Sequence, residues 1–338
     1  MKTIFVVDDN DVNLAAADNA LSNHYLVYTL PSAKGMFDLL GKIRPDMILL
    51  DILMPEIDGF ETMKLLKEKI EWEDIPVIFL TGRKDASTES LGLEMGAVDF
   101  ISKPFSGPVL LNRIKIHLDI EDKIRERTDS LRKLKNGIVS VLANMVENRD
   151  RMTGSHIERT TGYISLIIKS MFERKVYLEE ISQWDLDLAI SSARLHDLGK
   201  IAIPDLILNK PDKLTADEFN SIKTHVAEGE KIIDIMITET GDRTFLHYAK
   251  LFAGYHHERW DGTGYPYGLK GVDIPLQGRI MALVDVYDAL VSSRPYKKAY
   301  SHEEALEYIR ENSGIHFDPE LVKVFIASEE EIRKMGVE

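Results

Sequence analysis

The sequence predicts two folds in one chain: an α/β doubly wound parallel five-stranded sheet, followed by an all-α helical domain. Three observations lead there. Apolar runs rich in β-branched residues recur five times in the first 120 residues, separated by segments with apolar residues three and four apart. From Gly137 onward the pattern becomes almost wholly helical. Gly and Pro then gather between the periodic segments, as in IPDLILNKPDKL and DGTGYPYGLKGVDIP. Strands that alternate with helices pair in parallel, and such sheets collect their chemistry at the carboxyl ends of the strands.

Strands are expected at Thr3–Val7 and at residues 25–29, 47–50, 77–80 and 98–101, with helices between them such as 59–69 and 87–94. The polar residues fall at the strand ends. Asp8 and Asp9 follow the first, Asp51 the third, Thr81 the fourth and the Lys103-Pro104 pair the fifth. A plainer reading is that Asp8 and Asp9 cap the first helix. Residues 119–134 are polar, yet Ile124, Leu131, Ile138 and Met145 recur at seven-residue spacing, with Leu134 and Val141 between. That seam suits a coiled-coil stalk joining two copies of the chain, or one amphipathic helix packing on its own chain. The expected boundaries are 1–118 for the sheet domain, 119–136 for a helical linker and 137–338 for the helical domain. Within the last, residues 163–171, 186–195, 217–237, 245–256, 280–290 and 303–309 carry helical periodicity.

Composition narrows the function classes. A chain of 338 residues holds about two domains. Zero Cys excludes disulfides and thiolate metal ligands and fits a reducing compartment. The opening MKTIFVV is too short for a signal peptide, and no apolar stretch reaches membrane-spanning length. The balance of 42 basic against 56 acidic residues, −14, argues against a nucleic-acid polymer as partner. A cytoplasmic protein with no membrane partner is expected. A small anionic substrate would need a locally basic or metal-filled pocket.

Two short runs carry the strongest chemical signal. His196 and Asp197 stand in LHDLGK, and His256 and His257 open HHERWDGTGYP. Buried imidazoles need partners at both ring nitrogens, and a buried carboxylate needs a cation, so metal ions answer both demands. His156 lies in RMTGSHIERT, His225 on a long helical segment and Asp285 midway along the helix after the GYP turn. Histidine and carboxylate donors without sulfur suit Fe, Mn, Ni or Zn. His24, His117, His247, His302 and His316 fall outside this pattern and read as surface or hydrogen-bonded structural residues.

The HD pair followed by HHExxDGxGYP resembles the HD-GYP phosphodiesterases, members of the HD superfamily that hydrolyse cyclic di-GMP; the likeness runs from about Asn136 to near the C-terminus. The resemblance implies two divalent ions held by His156, His196, Asp197, His225, His256, His257 and Asp285. It implies a phosphate-binding role for Arg294 and Lys297, while Gly262, Gly264, Tyr265 and Pro266 read as a tight turn suited to bounding the pocket, with contact to substrate or to a protein partner left open. Asp197 and Lys200 become the catalytic candidates, with cyclic di-GMP opened to pGpG and the step onward to GMP left open. Some members carry a glutamate four residues before the first histidine, which helps to hold a third metal. Here that place is Met152, and Glu147 lies further back, so a two-metal site is expected.

Residues 2–118 resemble the receiver domain of two-component response regulators, a flavodoxin-like fold. This implies that Asp51 accepts a phosphoryl group from a sensor histidine kinase. Mg²⁺ would be held by Asp8, Asp9 and Asp51, with Lys103, Thr81 and Phe100 completing the pocket and its switch. A cis Lys103-Pro104 bond is expected to aim the lysine inward. Two other classes stay open: a metal phosphohydrolase of another nucleotide, and a slow-turnover binding module.

Overall fold

The computed structural model describes residues 1–82, 86–149, 156–292 and 299–335, with the backbone alone at 86–88. These residues form two compact units, Met1–Leu131 and Arg132–Glu338. Arg294, Lys297 and Met152 lie outside the described residues.

The first unit is a five-stranded parallel sheet in the order β2-β1-β3-β4-β5. Its strands are β1 (Thr3–Val7), β2 (Leu26–Leu30), β3 (Met47–Asp51), β4 (Val77–Thr81) and β5 (Asp99–Ser102). Helices α1 (Asp11–Leu21), α2 (Ala33–Leu40), α3 (Gly59–Lys67) and α4 (Ala86–Glu94) connect them. Alternation along β1 shows why the sheet is covered twice: Phe5 and Val7 join one apolar cluster, Ile4 and Val6 the other. Every residue of β3 and β4 is buried. Register sets Asp51 opposite Leu80 and Thr81 opposite Ser102, so the polar strand ends share one edge. Asn10, not Asp8 or Asp9, caps α1, its side chain accepting from the Val12 amide.

One helix, α5 (Gly107–Arg149), runs without a break through the residues expected to be a separate linker. The second unit adds α6 (His156–Arg174), α7 (Leu178–Ile181), α8 (Leu186–Ser192), α9 (Asp205–Leu208), α10 (Ala216–Thr240) and α11 (Phe245–Tyr255). It closes with α12 (Leu276–Val291), α13 (His302–Glu311), α14 (Pro319–Ala327) and α15 (Glu329–Met335). Helices α6, α12, α13 and α14 enclose the larger apolar core, with Tyr163, Ile167, Leu283 and Phe325 fully buried. Thr215 and Ser301 start α10 and α13 with reciprocal capping boxes. Among the described residues no helix is long and apolar enough to cross a membrane.

The helical periodicity over 186–195 predicts a helix that reaches His196 and Asp197. The structure instead stops α8 at Ser192 and carries the pair between two 3-10 turns, Ala193–Leu195 and Leu198–Ala202. The second turn fits because residue 199 is glycine: a Cβ there would stand 1.9 Å from the His225 carbonyl oxygen and 2.4 Å from the Gly229 amide. That close approach of two backbones sets Asp197 against α10.

Candidate metal centres

Three histidines of the helical unit are aimed by their own backbone. His196 Nδ1 donates to the Ala193 carbonyl at 3.0 Å, His225 Nδ1 to Ile222 at 2.7 Å and His256 Nδ1 to Ala253 at 2.9 Å. A carbonyl only accepts, so Nδ1 carries the proton and Nε2 presents a lone pair. Those lone pairs converge. His225 Nε2 and His256 Nε2 lie 3.4 Å apart, and His225, His256 and His257 offer ligand atoms within 4.8 Å of one another. His156, His196 and Asp285 form a second such group.

Asp197 stands between the two groups. Its Oδ2 lies 3.3 Å from His196 Nε2, while its Oδ1 lies 3.5 Å from His225 Nε2 and 3.7 Å from His256 Nε2. One oxygen thus faces each group, as a carboxylate shared by two ions requires. Lys200 Nζ meets Asp197 Oδ2 at 2.8 Å. Its place is beside this carboxylate.

Burial tunes these groups toward metal binding. It pulls His225 and His256 below the usual imidazole range and His257 down to about 3, so all three stay neutral donors near pH 7. Burial acts to raise the Asp197 carboxyl, but the Lys200 ammonium, together with the adjacent His196 and His225 rings, outweighs it and holds the group well below its ordinary value. His156 differs: burial lowers it, yet a 2.7 Å hydrogen bond to Asp288 and the charges of Asp285, Asp288 and Asp197 leave it raised.

The residues fit divalent ions on a direct observation. His156 Nε2, His196 Nε2 and Asp197 Oδ1 are buried without a hydrogen-bond partner. The facing Nε2 atoms of His225 and His256 repel unless a cation sits between them. Nitrogen and oxygen donors without sulfur suit borderline transition metals.

Two carboxylates behind the cluster were not singled out from the sequence. Asp288, fully buried on α12, accepts from His156 Nδ1 and, at 2.6 Å, from Arg159 Nε. It sets which nitrogen of His156 faces the cluster. The spacing of Asp285 and Asp288, one turn apart on α12, was the available signal. Glu258, also buried, accepts from the amides of Tyr267, Gly268 and Leu269 at 2.7, 3.1 and 3.0 Å and so pins the GYP turn. In that turn a Cβ at Gly264 would lie 2.4 Å from the Arg259 nitrogen. The bond before Pro266 is cis. Tyr265 stacks on His257 with ring centroids 4.7 Å apart, and Lys223 Nζ lies 5.1 Å from the centre of the Tyr265 ring.

At the edge of the sheet, oxygens of Asp8, Asp9 and Asp51 lie within 4.8 Å of one another, a donor set for a hard cation. Lys103 precedes a cis bond to Pro104 as expected, and its Nζ stands 2.7 Å from Asp8 Oδ2 and 2.6 Å from Asp51 Oδ1. Burial raises the Asp51 carboxyl above its ordinary value, opposed by Lys103 and reinforced by Asp8. Thr81 is buried at the end of β4, and the half-buried Phe100 ring packs 5.4 Å from Phe79.

Comparison with known proteins matches both units. Residues 4–115 fit the response regulator receiver domain, and residues 140–321 fit the HD domain. The chain belongs to the HD domain family, in the form that carries a receiver domain at its N-terminal side. It is 40% identical to a probable cyclic di-GMP phosphodiesterase of Vibrio cholerae serotype O1, over 97% of this chain and 78% of that protein. It is 36% identical to the cyclic di-GMP phosphodiesterase response regulator RpfG of Xanthomonas campestris pv. campestris, over 86% of this chain and 78% of that one. A 3'3'-cGAMP-specific phosphodiesterase 2 of Vibrio cholerae is 40% identical, but over only 58% of this chain and 35% of its own length.

Proposed function

We propose that this chain is a response regulator whose helical unit hydrolyses cyclic di-GMP to pGpG, under control of phosphorylation at Asp51. One observation carries the reading: Asp197 turns one oxygen toward His196 and the other toward His225 and His256, between two converging donor groups. Two divalent ions bound there, of Fe, Mn, Ni or Zn, would supply activation of water and neutralisation of phosphate charge. His156, His196 and Asp285 would hold one ion, His225, His256 and His257 the other, with Asp197 shared. Lys200 holds the Asp197 carboxylate in place and stands ready for a phosphate oxygen. Tyr265, fixed against His257, walls one side of the pocket. Arg294 and Lys297 are the proposed contacts to the substrate phosphates.

In the receiver unit, Asp8, Asp9 and Asp51 would hold Mg²⁺, which lowers the repulsion met by an incoming phosphoryl group. A sensor histidine kinase is the proposed donor. Ile124, Leu131, Leu134, Ile138, Val141 and Met145 are all exposed on α5. Their seven-residue period supports pairing with a second copy of the chain. The proposed location is the cytoplasm.

The likeness to a 3'3'-cGAMP-specific enzyme favours one second reading, a preference for that dinucleotide. Competition decides. Protein reconstituted anaerobically with Fe²⁺ or Mn²⁺ is given cyclic di-GMP and 3'3'-cGAMP together, and products are separated by chromatography. Faster release of pGpG supports the proposal, and faster consumption of 3'3'-cGAMP would replace it.

A further inference from the structure

The last turn of α5 grips both segments that carry the first metal-binding group. Glu147 is buried, and its Oε1 accepts from the His156 amide at 3.0 Å, which ties down the start of α6. Two residues on, the Arg149 guanidinium spans the end of the 3-10 turn that follows Asp197. It donates to the carbonyls of Ile201 at 2.7 Å and Ile203 at 3.1 Å, and to Asp205 Oδ1 at 2.8 Å. The Arg149 carbonyl in turn accepts from Asn209 Nδ2 at 2.9 Å. Behind this polar joint, Val139 and Val146 of α5 pack in one apolar cluster with Leu195 and Leu198, the residues flanking His196 and Asp197. Glu147, His156, His196, Asp197 and Lys200 line one small cavity.

Neither contact is what the end of a helix needs for its own sake. An arginine in a last turn ordinarily faces that helix's own carbonyls. Arg149 instead satisfies carbonyls of a different segment, and its planar fork fixes their direction as well as their distance. Because α5 begins at Gly107 in the receiver unit, any turn or slide of this helix moves His156 through Glu147 and Asp197 with Lys200 through Arg149.

We propose that Glu147 and Arg149 are positioning residues for the metal centre, and that the end of α5 is the joint through which the receiver acts on it. The idea rests on the metal centre proposed above. It concerns how the ligands are held, whichever nucleotide is hydrolysed.

The test titrates the full-length chain with Co²⁺, following the visible absorption of the bound ion, and measures kcat and KM for cyclic di-GMP with and without acetyl phosphate. Arg149→Met keeps the aliphatic stem and removes the fork. It should weaken Co²⁺ binding and lower kcat by about tenfold each, the size typical of lost outer contacts, with KM nearly unchanged. Arg149→Lys should recover part of both. Acetyl phosphate should alter the wild-type rate and leave the Arg149→Met rate unaltered. Glu147→Gln retains an acceptor for the His156 amide and should bind Co²⁺ like wild type, whereas Glu147→Leu should not.

Wild-type Co²⁺ affinity and kcat in Arg149→Met, or equal Co²⁺ binding by Glu147→Gln and Glu147→Leu, would overturn the positioning role. A wild-type rate indifferent to acetyl phosphate, or a response preserved in Arg149→Met, would overturn the joint. If Arg149→Met gives no cooperative melt, the Glu147 pair decides the positioning role. Should the wild type bind Co²⁺ and leave cyclic di-GMP intact, the substrate assignment falls. The Co²⁺ titrations still judge the positioning claim.

Discussion

The acidic pocket at the sheet edge and the histidine cluster of the helical unit differ in what balances their donors. At the edge, Lys103 sits within 2.7 Å of two carboxylates, so the pocket carries a cation of its own, and Asp9 remains exposed to water. In the helical unit Lys200 pairs with Asp197, while imidazole lone pairs face one another across 3.4 Å inside the protein. The first arrangement tolerates the loss of its metal and suits a hard ion that comes and goes with a phosphoryl group. The second is costly without metal, which is the expected condition of a resident ion. An exchangeable site serves a switch, and a permanent one serves catalysis.

The sharpest way to break this contrast is Asp197→Ala. Removing the shared carboxylate should cost about 10³-fold in kcat, about 4 kcal/mol of barrier, and reduce bound metal from two ions toward one. Metal analysis beside steady-state kinetics reads both, and full metal content with full activity would refute the bridging role. Next comes Asp288→Asn, which weakens the acceptor orienting His156 Nδ1. Metal affinity should fall about 10- to 100-fold, measured by competition with a chromophoric chelator. An unchanged affinity would mean that the Ala193, Ile222 and Ala253 carbonyls suffice to aim the rings.

A smaller effect is expected from packing. Gly199→Ala places a methyl group on the α10 backbone and should cost about 1–3 kcal/mol of stability, read by denaturant unfolding of the metal-free chain. Metal should restore part of that loss, because it binds the folded form. The smallest effect belongs to the edge pocket. The folded-state pKa of Asp51 is raised, so its contribution favours folding at low pH and is lost as pH rises through that value. At pH 7 its ionised form therefore opposes folding. Asp51→Asn should raise the melting temperature of the receiver unit by a few degrees at pH 7. Mg²⁺ should stabilise the wild type and barely affect the variant. A lower melting temperature for Asp51→Asn would show that Lys103 already overcompensates the charge.

Much of this was legible in the residues because strand ends and helical spacing are local properties. The continuous apolar runs of β1, β3 and β4 fixed where Asp8, Asp51 and Thr81 emerge. The His-His pair of HHERWDGTGYP and the His-Asp pair of LHDLGK stood out because such groups are rarely buried without a ligand. What stayed hidden depends on long-range contact. Asp288 and Glu258 look like ordinary charged residues until α6 or the GYP turn folds onto them. Glu147 stands nine residues before His156 in the sequence, yet the fold returns its carboxylate to the His156 amide. The stretch 119–136, expected to be a helical linker, is helical, and what its own residues do not show is that the helix takes in everything from Gly107 to Arg149.

The most direct measurement is product release by protein reconstituted with Mn²⁺ and then dialysed against metal-free buffer, so that only tightly held ions remain. Two ions per chain should survive dialysis, cyclic di-GMP should be converted steadily to pGpG, and Asp197→Ala should convert none. Two retained ions with no pGpG formed would contradict the proposed hydrolysis.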